Sequence, residues 1–417
     1  MKMKNCISLI VTLLLSFNYG MGQQVLKLND ILSIIQQSNP EMKMYDAQIR
    51  SLDEASKGAK SWAPPEFGAG FFMTPYNLSM TKFTPTQKGM GAFMFSASQM
   101  IPNKKEQNAN EQYLQSLSSV NKEKKQFSLN DSYAEAKTNY YDWMVTEKKI
   151  VVLDDNERLL NFMIQSAELR YKNNLGKLNA YYKAKAALGK IENQREILAN
   201  QVNQYKINLN TLMNRDPNEL FAVDTSYSIK SYNSIDSNYL IEQRSDIKAI
   251  EQNLVVNKLA LNVEKAKQLP QFGISYNHMS GFGQSPWLFS LMATVKIPLA
   301  PWSAGGYKAK VQSLDWEAKS YEDQRQMIIN QASGEAENLL SSVNSKKKQL
   351  QLFEQNIIPA LKKNYQLMQL AYEENTGELF ELFDAWETLN MTQLDYLDQL
   401  QQLLDLQVQL DKTLELK

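Results

Sequence analysis

Two acidic residues near the C-terminus, Glu381 and Asp384, are spaced so that their carboxylates could act together. A separation of three residues places both on one face of a helix. The apolar residues around them fall on the opposite, packing side: Leu379, Leu382, Phe383 and Trp386. Grouped carboxylates attract cations and disfavour anions. The alternative interpretation is a solvated helix face, which is what most acidic residues on long helices form.

Enzymatic chemistry is not indicated elsewhere in the sequence. The single histidine, His278, lies near the end of a predicted strand, and the single cysteine is Cys6. No nucleophile, base or metal-ligand set converges, so we expect no catalysis, no cofactor and no resident metal ion. The 45 basic and 45 acidic side chains leave no net charge, which argues against nucleic acid as a partner.

Methionine is the other residue type whose grouping could do chemistry. The first predicted hairpin holds five of the 18 methionines in the chain: Met73, Met80, Met90, Met94 and Met100. A thioether suits soft ions such as Cu(I). Methionine is also a common core filler, and both interpretations stay open.

The chain begins with the features of a secretory signal peptide over residues 1–22. Lysines precede an apolar run from Ile7 to Phe17, and Gly20 to Gly22 supply small residues for cleavage ahead of Gln23. Cys6 precedes the apolar run, so we expect neither a lipidated cysteine nor a disulfide in the mature chain. The sequence therefore predicts an exported protein.

The remaining sequence reads as two similar halves, because three stretches recur in the same order. The matches are PPEFG (64–68) with LPQFG (269–273), FMFSASQMIP (93–102) with FSLMATVKIP (289–298), and YKNNLGKL (171–178) with YEENTGEL (372–379). Ordered matches of this kind predict an internal duplication. The first repeat would span 23–213, the second 244–417, and residues 214–243 would form a linker.

Each repeat predicts the same succession of elements. These are a helix (28–60 and 244–267), a β-hairpin (65–102 and 270–298) and a long helical hairpin with a tight tip (172–177 and 373–378). The long helix over 303–372 has coiled-coil spacing, at Leu339, Val343, Leu350, Phe353, Ile357, Leu361 and Met368. About 70 helical residues span roughly 100 Å, so we expect a rod rather than a globule.

The predicted strands alternate large apolar residues with small or polar ones. In the first strand, for example, Phe67 and Phe71 alternate with Gly68 and Gly70. Such alternation is typical of a transmembrane barrel, whose outside meets lipid and whose inside meets water. The alternative is a pair of amphipathic hairpins packed on helices in a soluble domain. Four strands cannot close a barrel alone, so the transmembrane interpretation requires several chains.

These features together resemble the TolC-type outer membrane efflux family, in particular its heavy-metal-efflux branch. The resemblance covers nearly the whole mature chain: a Pro-aromatic-Gly strand start, Ile-Pro at 101–102 and 297–298, and the helical tips. The tip pattern, Tyr-x-x-Gly-x-Gly followed by Asp and Ala, is carried by Tyr171, Asn174, Gly176, Ala184, Tyr372, Asn375, Gly377, Glu381, Asp384 and Ala385. Asn replaces the first glycine in both tips, and Asn also tolerates the left-handed conformation of a tight turn.

The resemblance implies a mainly α fold with a small β part and a homotrimer with a twelve-stranded barrel in the outer membrane. Below the barrel, an α-helical tunnel would cross the periplasm to a periplasmic adaptor and, indirectly, an inner-membrane pump. The chain would be a passive exit duct.

The resemblance also implies roles for single residues. Tyr372, Glu381 and Asp384 would line the constriction at the periplasmic end of the tunnel. Gly377 stands where some members carry an arginine, so no arginine–carboxylate latch is carried over. We assign adaptor contact to the tips: Tyr171, Asn174, Gly176, Asn375 and Gly377.

Three functional interpretations stay open beside a general efflux duct. One is a duct for Cu or Ag cations, and another is a type I secretion duct for proteins, which would share the fold. The third is a non-conducting periplasmic coiled-coil structural protein or adaptor.

Overall fold

The computed structural model describes residues 24–86, 88–173, 178–232, 237–298, 300 and 302–416. The predicted signal peptide, 1–22, lies outside the described residues, as do Asn174 and Gly176 of the first predicted tip. Within the described part, no helix is both long enough and apolar enough to cross a membrane.

The first part of the chain contains short and long helices around a pair of strands. In chain order its elements are β1 (Gln24–Leu26), α1 (Leu28–Ser38), α2 (Pro40–Lys57), β2 (Glu66–Phe72), a 3-10 helix (Leu78–Thr81), β3 (Ala92–Ile101), α3 (Lys104–Lys172) and α4 (Leu178–Leu212). The single helix expected over 28–60 is divided at Asn39, whose Oδ1 accepts a hydrogen bond of 2.8 Å from the backbone N–H of Glu41. Pro40 then suits the first turn of the new helix.

The second part repeats this succession of elements. They are β4 (Phe221–Val223), α5 (Ser237–Gln243), α6 (Ser245–Lys267), β5 (Gln271–Gly281), β6 (Leu288–Lys296), α7 (Gly305–Leu352), α8 (Ile358–Glu373) and α9 (Leu379–Thr413). The chain is therefore mainly helical with a small β part, which confirms the predicted fold class.

The long helix expected over 303–372 is interrupted by a π-helical turn at Phe353–Ile357. Pro359 follows at the start of α8. A proline has no N–H and its ring crowds the carbonyl four residues earlier, so a widened turn accommodates it. The extra residue shifts the buried face: Ile357, predicted on the seam, is 40% exposed. Val343 and Leu350, ahead of the turn, are buried as expected.

The described residues divide into two compact units, and each draws on both halves of the sequence. Unit 1 contains the described part of Met1–Lys43 together with Ser128–Leu240 and Ala332–Lys417. Unit 2 contains Met44–Phe127 and Ile241–Gln331. The parallel pair β1 and β4 belongs to unit 1, and the four other strands belong to unit 2.

Unit 1 is built on helical seams of buried apolar side chains. One core cluster includes Ile31, Trp143 and Phe221, so it joins α1, α3 and β4. A second, which packs α3, α4, α8 and α9 together, includes Leu160 and Trp386. Helices in proteins gain most of their stability from such packing rather than from the helix propensity of their residues.

A buried ionic group fastens the predicted linker to α9 in unit 1. The carboxylate of Asp411 accepts hydrogen bonds from Lys230 Nζ at 2.6 Å and from the Tyr232 hydroxyl at 2.8 Å. Lys137 Nζ lies 3.6 Å from the same carboxylate. Burial lowers the pKa of Lys137, and the nearby Asp411 opposes that shift. Losing one partner of such a group would leave a buried charge uncompensated.

The four-stranded antiparallel sheet of unit 2 has the order β2-β3-β5-β6. The strand register places apolar residues from all four strands on one face of the sheet. Phe67 lies opposite Ala97, Ala97 opposite Tyr276, and Tyr276 opposite Leu291. Every one of these residues is apolar or aromatic. We call the face that they share the apolar face, and the opposite one the small-residue face.

Aromatic pairs cover the apolar face. The ring centroids of Phe67 and Phe95 lie 6.1 Å apart, and those of Tyr276 and Phe289 lie 6.3 Å apart. These rings are nonetheless exposed, and Phe71 on the same face is 75% accessible. A continuous exposed apolar surface of this kind marks contact with another protein or with lipid.

Candidate functional site

The second tip is a tight turn between α8 and α9. Asn375 adopts a positive φ of 59°, as expected for an asparagine in a glycine position. The backbone N–H groups of Thr376 and Gly377 both donate to the carbonyl of Ala371, each at 2.9 Å. A Cβ on Gly377 would lie 3.0 Å from the Ala371 methyl group, which explains the glycine here. The first tip turn lies outside the described residues.

Tyr372, predicted to line a constriction, is only 2% exposed. Its hydroxyl shares a hydrogen bond of 2.8 Å with Ser166 Oγ on α3. The ring belongs to the core cluster that joins α3, α4, α8 and α9. The side chain therefore ties helices together, and its part in any constriction would be to hold the neighbouring tip in place.

Arg170 completes this contact from the last turn of α3. Its Nη2 donates to the carbonyl of Tyr372 at 3.0 Å and also to Asn375 Oδ1. The guanidinium lies 4.2 Å from the centroid of the Tyr372 ring, within the range of a cation–π interaction. We call Ser166, Arg170, Tyr372 and Asn375 the tip clamp.

Sequence reasoning missed Arg170 and Ser166, although it identified their partners. The sequence gives only a weak indication of this pair, because Ser166 and Arg170 are four residues apart on α3 and so share a helix face. Their partners lie more than 200 positions away, and the spacing of a single chain does not pair such distant residues.

A second cation lies between the two helical hairpins. Lys183 Nζ on α4 is 4.1 Å from the Phe380 ring centroid and 4.3 Å from the Phe383 ring centroid. Phe383 is buried, whereas Phe380 is exposed. The ammonium group therefore links α4 to the start of α9 by cation–π attraction.

Glu381 and Asp384 are both exposed, on the face of α9 opposite its buried residues. Leu382, Phe383 and Trp386 are buried, which is the arrangement expected from their spacing. The Trp386 indole N–H donates to Asn156 Oδ1 at 2.6 Å and fixes the rotation of α9. Neither carboxylate forms an ion pair with a residue of the described part. They remain available to ions in solution.

Two of the three described residues of the predicted adaptor contact, Tyr171 and Asn375, are exposed. Tyr171 lies on the last turn of α3, and Asn375 lies in the turn after α8. Gly377 is partly covered by Ala371. No group of three or more His, Cys, Asp or Glu side chains in the described residues could hold a metal ion.

Similarity to known proteins is confined to structure. No protein-family model and no curated protein sequence matches the chain. The outer-membrane channel OprN matches at a TM-score of 0.74 and 16% identity, over 93% of this chain and 89% of OprN. CusC, whose crystal structures concern conformational changes that accompany folding and transmembrane channel formation, matches at a TM-score of 0.74 and 14% identity. The match covers 95% of this chain and 94% of CusC.

The outer membrane protein VceC from Vibrio cholerae matches at a TM-score of 0.70 and 16% identity, over 93% of this chain and 95% of VceC. The chain has the fold of the TolC-type outer-membrane channels. Nearly complete coverage on both sides means that the TolC-type fold extends over both units of the chain. The family resemblance read from the sequence is thereby confirmed at the level of fold.

Proposed function

We propose that this protein is an outer-membrane channel-tunnel, a passive exit duct for substrates delivered by an inner-membrane pump and a periplasmic adaptor. The apolar face of the sheet is the observation that carries the proposal. The strand register places exposed aromatic rings from all four strands on this one face. A surface of this kind is stable in lipid and unfavourable in water.

Three chains are needed to make the duct. Strands β2 and β6 are the sheet edges, and each is paired on one side only among the described residues. Unpaired backbone groups are not tolerated in hydrocarbon, so the edges of neighbouring protomers pair with each other. Twelve strands from three copies then close a barrel, with the small-residue face lining the lumen.

Exposed tryptophans support this position of the sheet. Trp62 precedes β2, Trp287 precedes β6, and Trp302 follows it, and all three are exposed. Tryptophan is enriched at membrane–water interfaces, where its ring is apolar and its N–H is solvated. The rings therefore act as anchors at the two rims of the barrel.

The second tip is the gate of the proposed duct. Three copies of Glu381 and Asp384 form two carboxylate rings at the periplasmic entrance, which favour cations over anions. The tip clamp holds this end of each protomer, because Arg170 fastens α3 to the turn after α8. The adaptor contact is made by the tips, through Tyr171, Asn375 and Gly377 and through Asn174 and Gly176, which lie outside the described residues.

The experiment is reconstitution of the purified full chain in a planar lipid bilayer. The proposal expects a heat-modifiable trimer that needs detergent for solubility and conducts in unitary steps. A non-conducting coiled-coil adaptor would give a detergent-independent protein and no current. That result would overturn the proposal.

A further inference from the structure

Methionine is distributed unequally between the two faces of the sheet in unit 2. The four strands, all within the described residues, contain Met94 and Met100 in β3, Met279 in β5 and Met292 in β6. The strand register places all four on the small-residue face. The apolar face has none, although methionine is an ordinary apolar residue and would suit it. Its large apolar side chains are phenylalanine, tyrosine, isoleucine, leucine and valine, and it also carries Gln99 and His278.

The register arranges these thioethers in successive rows. Met94 lies directly opposite Met279. Met292 lies opposite Ser275, and Met100 lies opposite Gly273. Rows on one face of a strand are about 6.8 Å apart. Methionine therefore occurs in three of the four consecutive rows that begin at Met100, and the remaining row is polar.

Glycines leave room beside two of these side chains, because Met94 lies opposite Gly70 and Met100 opposite Gly273, whereas Met279 lies opposite Leu288. A Cβ built on Gly273 would lie 2.7 Å from Met100 Sδ, so the thioether of Met100 extends across the glycine. In the polar row, Asn277 Nδ2 donates to Ser290 Oγ at 3.2 Å. Met100 is 38% exposed and Met292 is 52% exposed. Met100 and Met292 are therefore not filling a core, and Met94 and Met279 are half-buried.

Thioether sulfur is a soft, uncharged ligand that selects Cu(I)-like ions over Mg²⁺ or Ca²⁺. Two thioethers from one pair bind a metal ion only weakly. Conduction of ions requires a series of such weak binding sites. An ion must bind well enough to enter and loosely enough to leave. The carboxylates of the gate attract cations in general, whereas sulfur adds a preference among them.

We propose that the small-residue face is a coordination path for soft monovalent metal cations, with Met94 and Met279 as its paired site and Met100 and Met292 as further steps. The inference rests on the proposed channel function, because only a closed barrel makes this face a lumen. It names a substrate class for that channel.

The test is single-channel recording of the reconstituted trimer with silver nitrate in chloride-free buffer. Micromolar Ag⁺ should cause flickering block of the potassium current in the wild type. A variant with all four residues changed, Met94→Leu, Met100→Leu, Met279→Leu and Met292→Leu, should need at least tenfold more Ag⁺ for the same block. Its unblocked potassium conductance should match the wild type.

Matched controls separate this path from other silver ligands. Met73→Leu with Met80→Leu removes two exposed methionines outside the strands, and His278→Gln removes the imidazole on the apolar face. Both variants should keep the wild-type block. Equal Ag⁺ sensitivity of the fourfold variant and the wild type would overturn the inference while leaving the channel function standing.

A second measurement covers the case in which the protein does not conduct. Calorimetric titration of Ag⁺ into the detergent-solubilised trimer reads the sites directly, and the fourfold variant should lose the binding heat. Absence of current contradicts the channel function, whereas absence of binding heat in the wild type contradicts the methionine path. A heat-modifiable trimer of the fourfold variant verifies its folding.

Discussion

The guanidinium of Arg170 lies over the ring of Tyr372, with its central carbon 4.2 Å from the ring centroid. This contact joins the last turn of α3 to the end of α8 across 202 positions of sequence. The same side chain donates to the Tyr372 carbonyl and to Asn375. One residue of the first half thus holds the second tip, which is the end where we propose the gate.

Removing Arg170 should favour the open gate. If the clamp forms only in the closed gate, Arg170→Ala costs that state a cation–π contact and two hydrogen bonds, together about 2 kcal/mol, and shifts the closed–open equilibrium about 30-fold. Single-channel recording should therefore show longer and larger openings. Arg158→Ala is the control, because Arg158 on the same helix is exposed and pairs only locally with Asp155. Closed-state conductance that stays at the wild-type level in Arg170→Ala would contradict the role of the clamp.

Neutralising the acidic pair should reduce cation selectivity. The double change Glu381→Gln and Asp384→Asn keeps the side-chain size and removes six charges from a trimer. Reversal potentials in a potassium chloride gradient should move toward zero. Asp155→Asn, an exposed carboxylate on α3, should leave them unchanged. An unchanged reversal potential in the double variant would assign Glu381 and Asp384 to a solvated helix face.

The stability of unit 1 should depend on the ionisation of Asp405 in α9. Burial, followed by the nearby charge of Asp142, raises the pKa of Asp405 from 3.8 to about 7. One carboxylate oxygen of Asp405 is buried without a hydrogen-bond partner among the described residues. A raised pKa means that the folded protein holds this proton more tightly than the unfolded chain. The contribution to stability is therefore complete below about pH 4 and is lost as the pH rises to about 7.

Asp405→Asn should remove this pH dependence. We expect its melting temperature to exceed that of the wild type by a few degrees at pH 8 and to match it near pH 4. Asp395→Asn, at an exposed position of the same helix, should not differ from the wild type at either pH. Thermal unfolding followed by circular dichroism measures both. A difference that is constant across pH would show that the effect does not arise from ionisation.

The sequence predicted those parts of the structure that depend on local periodicity. The alternation of Phe67 and Phe71 with Gly68 and Gly70 identified a strand and its two faces before any pairing was known. Likewise, the spacing of Glu381 and Asp384 correctly placed Leu382 and Trp386 on the buried side of α9. Period two and period 3.6 are properties of single elements, so a single sequence shows them.

Features that depend on long-range contact or a local irregularity were not predictable in the same way. Strand β1 has three residues and exists because it pairs with β4, nearly 200 positions away. The π-helical turn before Pro359 changes the helical phase by one residue, and a regular spacing cannot anticipate that change. The burial of Tyr372 follows from contacts with α3 that no motif at the tip encodes.

The most direct test of the account compares two neighbouring residues of β3 that lie on opposite faces of the sheet. Phe95 lies on the apolar face and Ser96 on the small-residue face. An arginine facing lipid costs about 2–4 kcal/mol near the bilayer midplane, whereas a lumen-facing arginine is tolerated.

The measurement is the yield of heat-modifiable trimer in the outer-membrane fraction for Phe95→Arg and for Ser96→Arg. We predict that Phe95→Arg abolishes the trimer and that Ser96→Arg assembles at close to the wild-type level. Equal yields from the two variants, or a loss confined to Ser96→Arg, would contradict the claim that this sheet is a membrane wall with its apolar face in lipid.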